Sequence, residues 1–429
     1  MKMKKYEKYK SSGIELLDEI PAGWKVNRLK ALGEIRYGLG QPPRQIENGL
    51  PIIRATNVSF GKITTKDMLF VDPNDLPYDR KPLLKTNEII VVRSGAYTGD
   101  SAIIPEEYSG SVTGYDMVFT PKYISPKFIS YSFLSNYVFK DQLVISSLRA
   151  AQPHLNKEEL GNTIVAIPDL SEQTTIASYL DQKTSAIDRK VSLLEQKITQ
   201  YQQLRKSLIN ETVCRGLNEN VKVKDSGIEW IGMIPAHWEV KRFKSFAQTI
   251  KGKNLDFSDF YFEKSLPNLS LEYLRNDEVT FPTYCYSSSK SLLVTENDYI
   301  IVWDGAGVGE ILKGKKGYLS STIAKIVVNP KLVNPKYFFH LRDRVEYTLK
   351  QIPAGMGIPH LNPFILNNFP CPYPPLEEQN AISSYLDEKT QKIDLIITNI
   401  TTQIATLKEL RKTLINDVVT GKIKVTTDD

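Results

Sequence analysis

The chain has 429 residues, 41% hydrophobic and 24% charged, with a formal net charge of +6, values that suit a globular protein of two or three domains and are compatible with nucleic acid without establishing it. No stretch approaches the roughly 18 consecutive apolar residues of a membrane span, and the opening MKMKKYEKYK lacks the apolar run and cleavage site of a secretory signal, so a cytoplasmic chain without a membrane partner is expected. Cys214, Cys285 and Cys371 form no CxxC pair and the four histidines form no HxxxH or HExxH pattern, which leaves little ground for a disulfide framework or a metal site.

Along the chain, the order of segments repeats. Ser12–Lys30 (SGIELLDEIPAGWKVNRLK) matches Ser226–Lys244 (SGIEWIGMIPAHWEVKRFK) at 11 of 19 positions, offset by 214. NEIIVVRSGAYTGD (Asn87–Asp100) recurs as NDYIIVWDGAGVGE (Asn297–Glu310) at offset 210, and PHLN at 153–156 recurs at 359–362 at offset 206. Pro168–Asp188 then matches Pro374–Asp394 at 13 of 21 positions with that same offset. Length varies inside each repeat and is held constant through its end. The repeat divides the chain into a head (1–170), an arm (171–217), a second head (218–376) and a second arm (377–429).

Within the heads, short runs such as PIIRATNV, NEIIVVRSG, DMVFTPKYI and NTIVAIPDL are broken by Gly, Pro, Asn and Asp, and read as strands with a few helices between them. The expected class is α+β. A strand followed by Gly305-Ala-Gly307-Val-Gly309 invites a cofactor loop, and with it a self-contained S-adenosylmethionine-dependent DNA methyltransferase as the alternative function. The first copy, however, has Tyr97 in place of Gly307 and keeps only Gly95 and Gly99, the two glycines a tight turn needs for positive φ. CPYPP (371–375) lacks the acceptor of an amino-methyltransferase motif and reads as a linker into the arm. His154 and His360 in the two PHLN segments have no obvious triad partner and read as turn or packing residues.

The arms switch to helical periodicity. Ile187, Val191, Leu194, Ile198, Tyr201, Leu204 and Leu208 in the first, and Ile393, Ile397, Ile400, Ile404, Leu407, Leu410 and Leu414 in the second, advance by three or four at matching positions. That is a coiled-coil stripe. With no Pro or Gly between Glu172 and Val213, one helix of roughly 60 Å is expected. Such a stripe needs a partner, and the other arm supplies it. An antiparallel pair would place the heads at opposite ends, related by a pseudo-twofold axis.

Two related but unlike heads at a fixed separation suit a two-part DNA target. Arg and Lys read guanine and Asn and Gln read adenine, so the candidate contacts in the first head are Arg36, Gln41, Arg44, Gln45, Arg54, Asn57, Arg93, Arg149 and Gln152. In the second they are Lys251, Lys253, Asn254, Asn268, Arg275, Lys313, Lys315 and Lys316.

The twice-repeated order SGIE…IP..W.V.R.K, GA..G, PHLN, P.L.EQ..I..YLD.KT..ID and LRK.LI resembles the specificity subunits of type I restriction–modification systems. The matching scaffold positions are Glu172, Gln173, Tyr179, Leu180 and Asp181, with Glu378, Gln379, Tyr385, Leu386 and Asp387. The resemblance implies two target-recognition domains reading an asymmetric bipartite site on double-stranded DNA, and arms that act as a spacer. It implies as partners two modification subunits carrying S-adenosylmethionine for adenine methylation, and restriction subunits using ATP and Mg. It implies no active site and no cofactor in this chain.

Overall fold

The first repeat builds a four-stranded sheet from β1 (Gly33–Tyr37), β2 (Ile89–Val91), β3 (Ser101–Ile103) and β4 (Met117–Pro121), in the order β1-β4-β2-β3. After it come α1 (Pro126–Leu134) and the 46-residue helix α2 (Leu170–Arg215). The second repeat lays down β5 (Ala247–Lys251), β6 (Tyr299–Val302), β7 (Ile311–Lys313) and β8 (Ile323–Val328) in the same topology, β5-β8-β6-β7. It continues with α3 (Pro335–His340) and the 44-residue helix α4 (Leu376–Val419). This computed structural model describes residues 4–148, 153–276, 278, 282–351 and 359–426. Registers match as well as order: Tyr37, Met117 and Val91 form one row across the first sheet, and Lys251, Ala324 and Ile301 form the corresponding row of the second.

The apolar strands of these sheets are buried on both faces. Ile89, Ile90 and Val91, like Ile300 and Ile301, have essentially no exposed surface, as central strands covered on both sides require. The second, smaller sheets differ. In the first head Gln45–Ile53 runs parallel to Val112–Thr113 and antiparallel to Leu69–Val71. In the second head Leu266–Leu269 is the central strand of a five-stranded sheet, running parallel to Gly317–Leu319. The framework repeats, and the part outside it diverges.

Pro370–Tyr373, expected as a linker, is a strand paired antiparallel with Glu239–Arg242. Its two prolines remove N–H donors, which a two-stranded sheet with free edges tolerates. Ile164–Ile167 pairs with Lys25–Arg28 in the same way in the first repeat.

The chain forms two compact units, Met1–Gln196 with Ile400–Asp429, and Lys197–Asn399. Each long helix therefore begins in one unit and ends in the other. Within the first unit, Ile176 and Leu180 of α2 share a core with Ile415, Val418 and Val419 of α4 and with Trp24 and Phe128. Within the second, Ile382 and Leu386 of α4 share a core with Ile209 and Val213 of α2 and with Trp238 and Phe338. The helices run antiparallel in the first unit, where Arg411 lies 3.0 Å from Asp188 and Lys408 lies 3.5 Å from Glu195. In the second unit the equivalent pair, Arg205 with Asp394, meets at 3.1 Å.

Of the expected stripe, Ile393, Ile400 and Ile404 are buried, and Ile187, Val191, Leu194, Ile198, Tyr201, Leu208, Ile397, Leu407 and Leu414 are partly buried. Leu204 and Leu410 correct the expectation: they are 52% and 46% exposed. A straight α-helix drifts about 20° per heptad from a 3.5-residue repeat, so toward the C-terminal end of each helix the inward face passes to the next residue. There Arg205 and Arg411 turn in to their aspartates, and Ile209 and Ile415 carry the burial on.

The repeated scaffold motifs fasten arm to head. Glu172 accepts from the buried Trp24 indole N–H at 3.0 Å and the Tyr6 hydroxyl at 2.6 Å. Glu378 accepts from Trp238 at 2.9 Å and meets His237 at 2.6 Å. Gln173 accepts from the Ser125 N–H and donates to the Pro168 carbonyl, and Gln379 repeats this with Asn334 and Pro374. Asp181 accepts from Lys127 and Tyr131; Asp387 accepts from Lys336 and faces His340. Burial raises the Asp387 carboxyl, but Lys336 and His340 hold it below the usual range. Each arm ends on a glycine with positive φ: Gly216 (75°) lies against Trp238, and Gly421 (78°) against Pro21 and Trp24. A Cβ on Gly421 would sit 2.4 Å from Pro21. Among the described residues no helix is long and apolar enough to cross a membrane.

Candidate nucleic-acid interface

In both heads the glycine turn follows the central strand directly. Gly95 and Gly99 have φ of 85° and 93°, and Gly305 and Gly309 have 99° and 85°, which a non-glycine residue adopts only with strain. Gly307, the additional glycine of the second copy, does not open a cradle. A Cβ there would lie 2.8 Å from the Leu271 side chain and 3.1 Å from Arg275, so two side chains already cover the space a cofactor phosphate would need.

PHLN supplies backbone pairing to the same turn. His154 bridges to Ser94 and His360 to Asp304, while the N–H groups of Leu155 and Leu361 donate to the Arg93 and Trp303 carbonyls, both at 2.7 Å. The side chains then diverge. His154 Nε2 lies 3.0 Å from Arg93 Nη2, and because arginine only donates, this nitrogen accepts. His360 Nδ1 lies 2.6 Å from Asp304 Oδ1, an acidic partner the sequence did not reveal.

Arg93 is held between two rings, its guanidinium carbon 4.6 Å from the centre of Tyr37 and 4.4 Å from that of Tyr115. The Lys157 N–H donates to the Tyr37 hydroxyl at 2.9 Å and fixes that ring. The Arg93 N–H donates to Asp116, whose carboxyl burial pushes up to about 6 against the opposing pull of the N–H groups of Arg93 and Ala55 and the Arg93 charge. In the second head Lys251 lies 5.5 Å from the ring centre of Trp303 and 3.0 Å from Asp304.

The other expected contacts separate by environment. Asn57 has no exposed surface and donates to the carbonyls of Thr64 and Lys66, so it closes a turn rather than facing DNA. Arg36 is likewise committed to the fold, gripping Glu88 through both terminal nitrogens at 2.5 and 2.7 Å. Lys315 donates to the carbonyls of Tyr273 and Asn276. Arg44 pairs with Asp72, Arg275 with Glu310, and Arg54 donates to the Asp67 carbonyl. Asn268 is half-buried beside Thr283. Gln41, Gln45, Lys253, Asn254, Lys313 and Lys316 are exposed. Arg149 and Gln152 lie outside the described residues. Tyr37, Tyr115 and Trp303 were not among the expected contacts. The signal for Tyr37 and Trp303 was the repeat itself, which sets Tyr37 opposite Lys251 and Arg93 opposite Trp303, whereas the sequence carried no signal for Tyr115.

The family model described as "Type I restriction modification DNA specificity domain" matches residues 21–200 and again 235–406. The chain belongs to this family. It is a specificity subunit of type I restriction–modification systems with two recognition domains. It is 37% identical over 188 residues to the type I restriction enzyme MjaVIII specificity subunit of Methanocaldococcus jannaschii, a match covering 44% of this chain and 43% of that one. To the putative MjaX specificity subunit of the same organism it is 24% identical over 436 residues, covering 99% of this chain and 98% of the relative. A solved structure described as concerning complex assembly and conformational transition of the type I R-M system shares the fold. It has a TM-score of 0.73 at 19% identity, over 93% of this specificity subunit and 98% of that chain.

Proposed function

We propose that this specificity subunit reads an asymmetric bipartite site on double-stranded DNA, one half-site per head, and has no active site or cofactor of its own. The observation that carries this reading is the contrast within the repeat. Sheet topology, arm latches and PHLN bridges are kept, while the smaller sheets and the side chains around the glycine turn differ. Identical heads would suit a palindrome; unlike heads suit two different half-sites.

The partners in this reading are two modification subunits, which carry S-adenosylmethionine and methylate adenine, and restriction subunits using ATP and Mg, all in the cytoplasm. The arms set the spacer between half-sites, in keeping with their constant length through both copies. Mapping methylated adenines across the source genome tests the proposal in one measurement. A bipartite motif with a fixed spacer is expected, and a single contiguous motif or a palindrome would refute it. Removing seven residues from one arm in frame is expected to change the spacer or abolish assembly.

A further inference from the structure

We propose that Arg93, the cation held between two aromatic rings at the glycine turn of the first head, is a base-reading element that recognises a guanine in the first half-site. This rests on the bipartite reading above and names a residue that carries it out.

Three observations converge on it. The first is position. Tyr37 and Lys251 occupy the same row of their sheets, and Arg93 and Trp303 lie two residues beyond Val91 and Ile301, the central-strand members of that row. The ring and the cation have changed places between the copies, so both positions differ while a cation on a ring is retained. The second is access. Tyr37 is 41% and Tyr115 46% exposed, and the side chains of Lys251 and His360 are 44% and 52% exposed. The third is that Arg93 is uncommitted. Arg36, Arg44 and Arg275 are each bound to a carboxylate, whereas among the described residues the Arg93 guanidinium contacts two rings and a histidine nitrogen and forms no ion pair within 4 Å, the Asp116 charge acting on it from farther away.

The chemistry follows from the fork. His154 takes one proton of Nη2, leaving one on Nη2 and two on Nη1. That is the end-on pair that matches O6 and N7 of guanine in the major groove. Stacking on two rings fixes the plane of the fork before DNA arrives, so little side-chain entropy remains to be lost on contact. His154 is a positioning residue here. In the second head Lys251 is a point charge shared with Asp304, whose other oxygen faces His360. The corresponding place in the second head is thus chemically unlike the first, its cation already paired with a carboxylate.

The test uses the subunit assembled with its modification subunits and a panel of duplexes in which each base pair of both half-sites is changed in turn. Arg93→Ala is expected to flatten the preference for one G·C pair in one half-site by about ten- to a hundredfold, and to leave every preference in the other half-site intact. Arg93→Lys keeps a cation between the rings but loses the fork, and is expected to flatten the same position. Intact discrimination at the other half-site shows that the assembly has folded; should Arg93→Ala lose both, Arg93→Lys decides. A uniform fall in affinity with all first-half-site preferences retained would make Arg93 a phosphate contact and overturn the proposal, as would no change. If the unaltered complex shows no bipartite preference, the reading beneath the proposal fails and the proposal with it.

Discussion

Replacing Glu172 by alanine tests how the arm is fastened to the first head. The carboxylate accepts from Trp24 Nε1 at 3.0 Å and from the Tyr6 hydroxyl at 2.6 Å, and Trp24 is 1% exposed. Hydrogen bonds to a charged group contribute about 1.5–3 kcal/mol each, and an indole N–H stranded in a core costs about 1–3 kcal/mol. Partial repair by water at the Tyr6 side brings the expected loss to about 3 kcal/mol, close to a hundredfold in an opening equilibrium. Glu172→Gln keeps an acceptor for the indole and is expected to lose about 1 kcal/mol. Hydrogen-exchange mass spectrometry reads both, with peptides around Trp24 and α1 speeding up and those around Trp238 and α3 unchanged. Glu378→Ala should give the reverse pattern. Equal loosening of both units by Glu172→Ala, or a change under about 0.5 kcal/mol, would refute the idea that these carboxylates are local latches.

Asp116 gives a pH signature. Its carboxyl is raised to about 6 by burial, so between about pH 4 and 6 the folded chain holds a proton that the unfolded chain has released. Stability should therefore fall as pH rises through that window, by about 3 kcal/mol, and stay at the lower level above it. Asp116→Asn should remove the slope in urea titrations at successive pH values; an unchanged slope would assign it to another group. On the arms, Leu204→Lys and Leu410→Lys should leave the melting temperature within a degree or two, given their exposure. Ile404→Asp places a charge at a site 8% exposed and should cost at least about 2 kcal/mol. Equal effects would mean the stripe, not the observed burial, describes the pairing.

Periodicity and repetition made the arms and the α+β heads legible before any coordinates, because a long helix without Pro or Gly has few alternatives. That each stripe needs a partner was legible too, whereas the antiparallel sense was an expectation that periodicity alone does not fix. What periodicity could not show was the drift that exposes Leu204 and Leu410 and turns Arg205 and Arg411 inward. Nor could it show that Pro370–Tyr373 pairs with a strand about 130 residues earlier, since prolines argue locally for a linker. At the interface, residue type alone nominated Asn57 and Arg36 alongside Arg93. Only tertiary partners separate a buried turn residue and a carboxylate-bound arginine from a guanidinium on two rings.

The shared cores also bear on how the chain folds as it is made. Ile415, Val418 and Val419 complete the hydrophobic interior around Trp24 and Phe128, yet they leave the ribosome nearly four hundred residues after Trp24. Lys197–Asn399, by contrast, is continuous in sequence. The unit translated first is thus the one finished last. Until α4 arrives, its vacancy around Trp24 exposes apolar side chains for the time taken to synthesise a whole second repeat, an interval of tens of seconds at about 5–20 residues per second. During translation, the first head is the half that calls for a chaperone.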